Sequence, residues 1–122
     1  MANVLLTKTD FSPISSLFQI VGQPVRLEIL LTIGRREMCV CSIEAALGLR
    51  QSVISQHLMI LRKAGLVRTS RVGRNIYYRL VYPDLLDLII EAARLVDYPA
   101  DDLETVMNRP ITACPLPDFD PG

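Results

Sequence analysis

Three things are scarce in this chain of 122 residues: net charge, histidine and cysteine. The 13 Lys+Arg cancel against 13 Asp+Glu, so the overall balance names no partner. A single histidine, with no nucleophile–base pair around it, argues against an enzyme. Three cysteines are an odd number, and Met1 to Asp10 has neither a basic head nor an apolar signal core. Thiol chemistry in a reducing, cytoplasmic setting is therefore expected, not a disulfide scaffold. A bilayer-length apolar run is missing too. The most hydrophobic stretch, Leu85 to Val96, is interrupted by Asp87, Glu91 and Arg94, which argues against a membrane span. What is abundant is apolar. Half the residues are hydrophobic, enough to exclude a disordered chain, and the length suits one compact domain.

The zero balance hides two opposite halves. Residues 1–82 hold eleven bases and four acids, while residues 83–122 hold two bases and nine acids. Between Arg50 and Arg79 the bias is sharper: Arg50, Arg62, Lys63, Arg68, Arg71, Arg74 and Arg79 occur with no acid among them. A solvated face would account for an arbitrary basic block. Here the block coincides with two successive helices and a hairpin, so a polyanion is the more economical partner.

Apolar spacing lays out the elements. Ile14, Leu17, Phe18 and Val21 predict a short amphipathic helix between Phe11 and Gly22. Pro24 opens the next, whose residues Val25, Leu27, Ile29, Leu30, Leu31 and Ile33 are too densely apolar for an exposed helix; Gly34 ends it. Arg35 to Val40 reads as a connection, and Ser42 as the N-cap of a helix over Ile43 to Leu47, closed by Gly48. A helix from about Gln51 to Ala64 has Ile54, Leu58 and Leu61 as its buried stripe, with Ser52, Ser55, Gln56, Met59 and Lys63 on the other side. Leu66 to Val72 and Asn75 to Leu80 form a hairpin turning at Gly73-Arg74. A helix from Pro83 to about Asp97 is apolar nearly all round and needs partners on both sides, which implies a dimer, with the first helix contributing. The tail beyond Pro99 is acidic and proline-containing; a helical turn over Asp101 to Met107 fits, and loop or disorder is expected after Pro110.

Two short helices, a recognition-type helix, a hairpin wing and a terminal apolar helix describe a winged helix-turn-helix: mainly α with a small β-hairpin, and dimeric. Four segments narrow this: Met38-Cys39-Val40-Cys41-Ser42-Ile43, Ser52-Val53-Ile54-Ser55-Gln56-His57-Leu58, Leu61-Arg62-Lys63-Ala64-Gly65-Leu66-Val67, and Gly73-Arg74-Asn75-Ile76-Tyr77-Tyr78-Arg79-Leu80. Together they resemble the ArsR/SmtB family of dimeric metal-responsive repressors, over roughly residues 14–96. The Cys-Val-Cys element resembles the arsenite- and cadmium/lead-sensing branches. The resemblance implies a DNA-binding and dimerisation domain over 1–98, followed by the acidic tail 99–122. Two departures stand out. Arg50 occupies a place where family members often carry a Ser or Thr cap, so the cap is either missing or moved to Ser52. Glu44 stands where well-known arsenite sensors carry a third cysteine, which leaves the third ligand open. The terminal helix lacks the His/Asp/Glu set of zinc-sensing relatives, which disfavours a zinc sensor.

By resemblance and by helix face, Gln51, Ser52, Ser55, Gln56 and His57 approach base edges in the major groove of double-stranded operator DNA. Arg50, Arg62, Lys63, Arg71 and Arg74 suit phosphates, with Arg74 at the wing tip also a minor-groove candidate. The dimer should read an inverted repeat with half-sites about one helical turn apart. His57 reads as a recognition-helix residue, not a metal ligand. Cys39 and Cys41 are two apart: on a regular helix they diverge, whereas an extended segment puts both on one side. Metal binding should then favour an unwound geometry just before Ser42, displace the recognition helix and release DNA. The helix N-terminus nearby should favour thiolate. Thiolates select As(III), Sb(III), Cd(II) and Pb(II) over hard ions. Arsenite takes three sulfurs in a pyramid, and Cys114 remains to supply the third, from the same chain or its partner. Two readings compete. One is a redox- or persulfide-responsive repressor bridging Cys39 or Cys41 to Cys114. The other is a thiol-based metal carrier or oxidoreductase, which has no need of an acid-free basic hairpin.

Overall fold

α1 (Ser12–Val21) starts where the Asp10 carboxylate accepts hydrogen bonds from the backbone N–H and hydroxyl of Ser12. Only Val21 on it is fully buried; Ile14 and Phe18, with Phe11 just ahead, stay exposed. α2 (Pro24–Ile33) has proline at its first position, where a missing N–H costs nothing, and the Gln23 side chain accepts from the Arg26 N–H. Ile29 to Ile33 are all buried, as the dense apolar run predicts, and the other elements gather around this helix. Gly34 ends it at φ 57°, ψ −130°, a region essentially reserved for glycine, and a Cβ there would meet the Leu31 carbonyl oxygen at 3.3 Å. This computed structural model describes residues 9–112; Cys114 lies outside them.

The expected connection contains a strand, β1 (Met38–Cys39), and the helix after it, α3 (Val40–Leu47), begins three residues earlier than the Ser42 cap implied. Cys39 is the N-cap, held extended at φ −84°, ψ 163° by pairing in the sheet, with no side-chain cap bond. α4 (Gln51–Lys63) follows the left-handed Gly48 cap of α3. The hairpin β2 (Val67–Val72) and β3 (Asn75–Leu80) has the expected register, from Val67 opposite Leu80 to Val72 opposite Asn75. β1 adds to the outer side of β3, with Met38 opposite Tyr78 and Cys39 opposite Tyr77. The small hairpin is thus part of a three-stranded antiparallel sheet in the order β1-β3-β2. Two residues show no alternation, so β1 left no periodic signal in the sequence.

α5 (Asp84–Leu95) buries Leu85, Leu86 and Ile89 within the protomer and leaves Leu88, Leu95 and the following Val96 exposed. The turn expected over 101–107 is α6 (Ala100–Met107), whose Leu103 and Met107 are buried in the core beside α2 and α5. The packed body therefore runs through Met107 and does not end near residue 98. Leu103, Val106 and Met107 fall at i, i+3 and i+4, a stripe masked in the sequence by the acids around it. Among the described residues no helix is long and apolar enough to cross a membrane.

Candidate nucleic-acid interface and cysteine site

α4 packs through Ile54, Leu58 and Leu61 against α3 and α2, which fixes what must face outward. Gln51, Ser52, Gln56, Met59, Arg62 and Lys63 are exposed and Ser55 is half-buried. Arg50 is the N-cap, extended and without a side-chain cap bond; its carbonyl accepts from the N–H groups of Val53 and Ile54. Of the two alternatives at this end, the uncapped one is realised, and the Arg50 side chain lies at the surface. In the wing, Val67 and Leu80 anchor the base in the core, while Arg68, Arg71, Val72, Arg74 and Ile76 are exposed further out. Gly73, at φ 64°, permits the two-residue turn that sets Arg74 at the tip. Arg79 lies 4.0 Å from Glu37. With no acid between residues 50 and 79, the outward side of α4 and the wing carry one sign.

His57 does not share that exposed face. It is half-buried, and its Nδ1 is enclosed without a hydrogen-bond partner among the described residues. Burial holds its imidazole below the ordinary pKa, and the positive charge of Arg26 on α2 adds to the shift. The side chain belongs to the α2 side of α4, apart from Gln51, Ser52 and Gln56.

The two cysteines come together by a route other than a plain extended segment. Cys39 ends β1 and is buried; Cys41 is the second residue of α3 and half-buried. The strand-to-helix junction brings their Sγ atoms to 3.4 Å. The pair meets with α3 already wound, so the unwinding expected before Ser42 is not needed. Ser42 is buried, and its Oγ lies 3.4 Å from Cys39 Sγ and donates to the Thr112 carbonyl oxygen at 2.5 Å. Residues 109–112 thus return from α6 to the start of α3. Arg109 donates to the Ala46 carbonyl at 2.7 Å and lies 3.7 Å from Glu28. Arg36 donates to the Arg109 carbonyl at 2.5 Å and the Thr32 carbonyl at 2.7 Å.

No group of three metal-ligating side chains occurs among the described residues, and Cys114 lies outside them. Sequence reasoning passed over Ser42 as a contact of the site, and over Arg36 and Arg109. The one available signal was Arg109 itself, one of only two bases in the acidic final third.

This arrangement has counterparts. A family model described as "Bacterial regulatory protein, arsR family" matches residues 23–69, from the cap of α2 into β2. The chain is 40% identical over 76 residues to the "Transcriptional repressor SmtB homolog" of Synechocystis, covering 62% of this chain and 58% of that protein's length. The chain therefore spans less than two thirds of that relative. Among solved structures, HlyU from Vibrio cholerae matches with a TM-score of 0.64 at 30% identity, over 72% of this chain and 96% of that one. The homodimeric winged helix-turn-helix domain of Mb0332 from Mycobacterium bovis matches with a TM-score of 0.66 at 25% identity, over 80% and 91%. By fold, by sequence and by the extent of these matches, the chain belongs to the arsR family of bacterial regulatory proteins.

Proposed function

We propose that this chain is a DNA-binding transcriptional repressor that occupies an inverted-repeat operator as a homodimer. It leaves the operator when a soft metal ion or metalloid, As(III) before others, is held by Cys39, Cys41 and Cys114. Support for the DNA half comes from the acid-free outward face of α4 and the wing, and from relatives named as transcriptional repressors. Gln51, Ser52, Ser55 and Gln56 would approach base edges; Arg50, Arg62, Lys63, Arg71 and Arg74 would meet phosphates. The exposed Phe11, Ile14 and Phe18 around α1, with Leu88, Leu95 and Val96 on and after α5, are the apolar surface a two-fold dimer would bury.

Carrying the sensing half is the 3.4 Å separation of the Cys39 and Cys41 Sγ atoms. Two sulfurs at that distance can reach one shared soft centre, and thiolates select As(III), Sb(III), Cd(II) and Pb(II) over hard ions; the Cys-Val-Cys element puts As(III) and Sb(III) first. Cys39 pairs with Tyr77 in the wing strand β3, and Cys41 sits in the first turn of α3, which packs on α4. Drawing both sulfurs and a third toward one centre shifts α3 against β3. That changes the angle between recognition helix and wing, so both DNA-contacting elements lose register together. A coupling of about 5- to 150-fold in affinity is the usual size of such an effect.

The test is release of fluorescent upstream DNA on titration with arsenite, antimonite, Cd(II), Pb(II) and a persulfide donor. Arsenite should release the native repressor and fail with Cys39→Ser and Cys41→Ser. If both variants still leave DNA on arsenite, the sensor assignment is wrong. Release by the persulfide donor alone, with a bridge to Cys114 seen by mass spectrometry, would replace it with the redox reading.

A further inference from the structure

We infer that Met59, in the middle of the outward face of α4, reads the C5-methyl group of a thymine in each half-site and so sets part of the sequence preference. This rests on the reading that α4 enters the major groove of operator DNA. The buried stripe Ile54, Leu58 and Leu61 fixes the rotation of the helix, each of the three being at most 1% exposed. At about 100° per residue, Met59 lies about 130° around the axis from the middle of that stripe. Its side chain is held away from the core, and the residue is 54% exposed.

Neighbours on a helix surface are the residues three and four positions away. For Met59 these are Ser55 and Gln56 before it and Arg62 and Lys63 after it, none of them apolar. Ser55 is half-buried and the other three are exposed. All four are candidates for DNA contact, two for base edges and two for phosphates. Met59 stands at the centre of that group, so a duplex docked on the four must cover it. An apolar side chain pressed onto a hydrogen-bonding base edge leaves that edge unsatisfied, which costs affinity. The major groove offers one apolar group instead. Guanine presents two acceptors, cytosine an amino donor and adenine an acceptor with an amino donor, whereas thymine presents an acceptor and its methyl. Met59 has no donor, and its flexible thioether side chain adapts to a small apolar partner. Removing one methyl group from water in such a contact is worth about fourfold in affinity. A symmetric operator that offers it in both half-sites gains about fifteenfold.

The experiment uses the full chain, native and with Met59→Ala or Met59→Leu, and a labelled duplex of its upstream DNA. Each thymine, together with its symmetry mate, is replaced in turn by deoxyuridine, which deletes the methyl group and keeps every hydrogen-bonding atom. At one such pair the native chain should bind the deoxyuridine duplex about fifteenfold more weakly. M59A should keep the native thermal midpoint or exceed it, because the position is exposed and alanine is the better helix former. It should bind the thymine and deoxyuridine duplexes alike at that pair, while M59L, which keeps the apolar surface, should retain part of the difference. An M59A chain that keeps the full deoxyuridine penalty would overturn the inference, since another residue then reads the methyl. A native chain that binds the upstream duplex but is indifferent to every deoxyuridine replacement removes this inference alone. One that binds no upstream duplex removes the groove reading and this inference together.

Discussion

Replacing Lys63 by alanine removes one exposed charge from the last turn of α4 and leaves the stripe Ile54, Leu58 and Leu61 untouched. Loss of a cation from a helix C-terminus costs about 0.3–1 kcal/mol, and alanine's better helix propensity offsets part of it, so the variant folds. The effect on DNA follows from counting charges on the exposed side. Arg50, Arg62, Lys63, Arg71 and Arg74 are all exposed and are the phosphate candidates of one protomer. A symmetric dimer doubles them, and at about 0.9 per neutralised phosphate the slope of log affinity against log salt is roughly −9. Lys63→Ala deletes two contacts per dimer and brings the slope to roughly −7. Between about 50 and 200 mM salt the native protein should lose about five decades of affinity, and the variant about one decade less. Anisotropy of a labelled upstream duplex, titrated at several salt concentrations, measures this directly. A variant with native affinity and native slope would refute the placement of α4 against the phosphates. An affinity loss equal at every salt concentration would show that Lys63 acts through something other than counterion release.

Two further perturbations probe the scaffold. Gly34→Ala places a Cβ at a positive-φ position against the Leu31 carbonyl and should destabilise by about 1–3 kcal/mol; an unchanged thermal midpoint would show that the α2 terminus relaxes freely. His57 has a folded pKa depressed by burial, so the unfolded chain binds its proton more readily. Stability should be free of this penalty above the unfolded value of about 6.5 and should fall as pH drops through that value toward the folded one. Denaturation midpoints of native and His57→Gln chains across that range should diverge as pH falls. Parallel curves would rule out His57 as the source.

The helices of the helix-turn-helix unit were readable because each has a period and a stop. The Ile54, Leu58, Leu61 stripe and the Gly48 cap appear in the structure where spacing put them. β1 was not readable: Met38 and Cys39 acquire strand geometry only by pairing with Tyr78 and Tyr77, some forty residues away. That pairing also moved the start of α3. With Cys39 held extended, the helix begins at Val40, and Ser42 is released from capping to contact the tail. The surroundings of His57 were not readable for a similar reason, since helical periodicity puts it near the boundary of the outward face and only the presence of α2 decides what it packs beside.

The family, the helix over residues 51–63, the hairpin and the candidate pair Cys39 and Cys41 were legible in the sequence, because they rest on local periodicity, turn residues and short spacings. How the two sulfurs meet, at 3.4 Å across a strand-to-helix junction, was decided by the tertiary structure alone. So was the return of residues 109–112 to Ser42 over a separation of 70 positions. Contacts of that kind depend on where unfilled helix carbonyls and buried hydroxyls end up once the core has packed, and no local pattern records them.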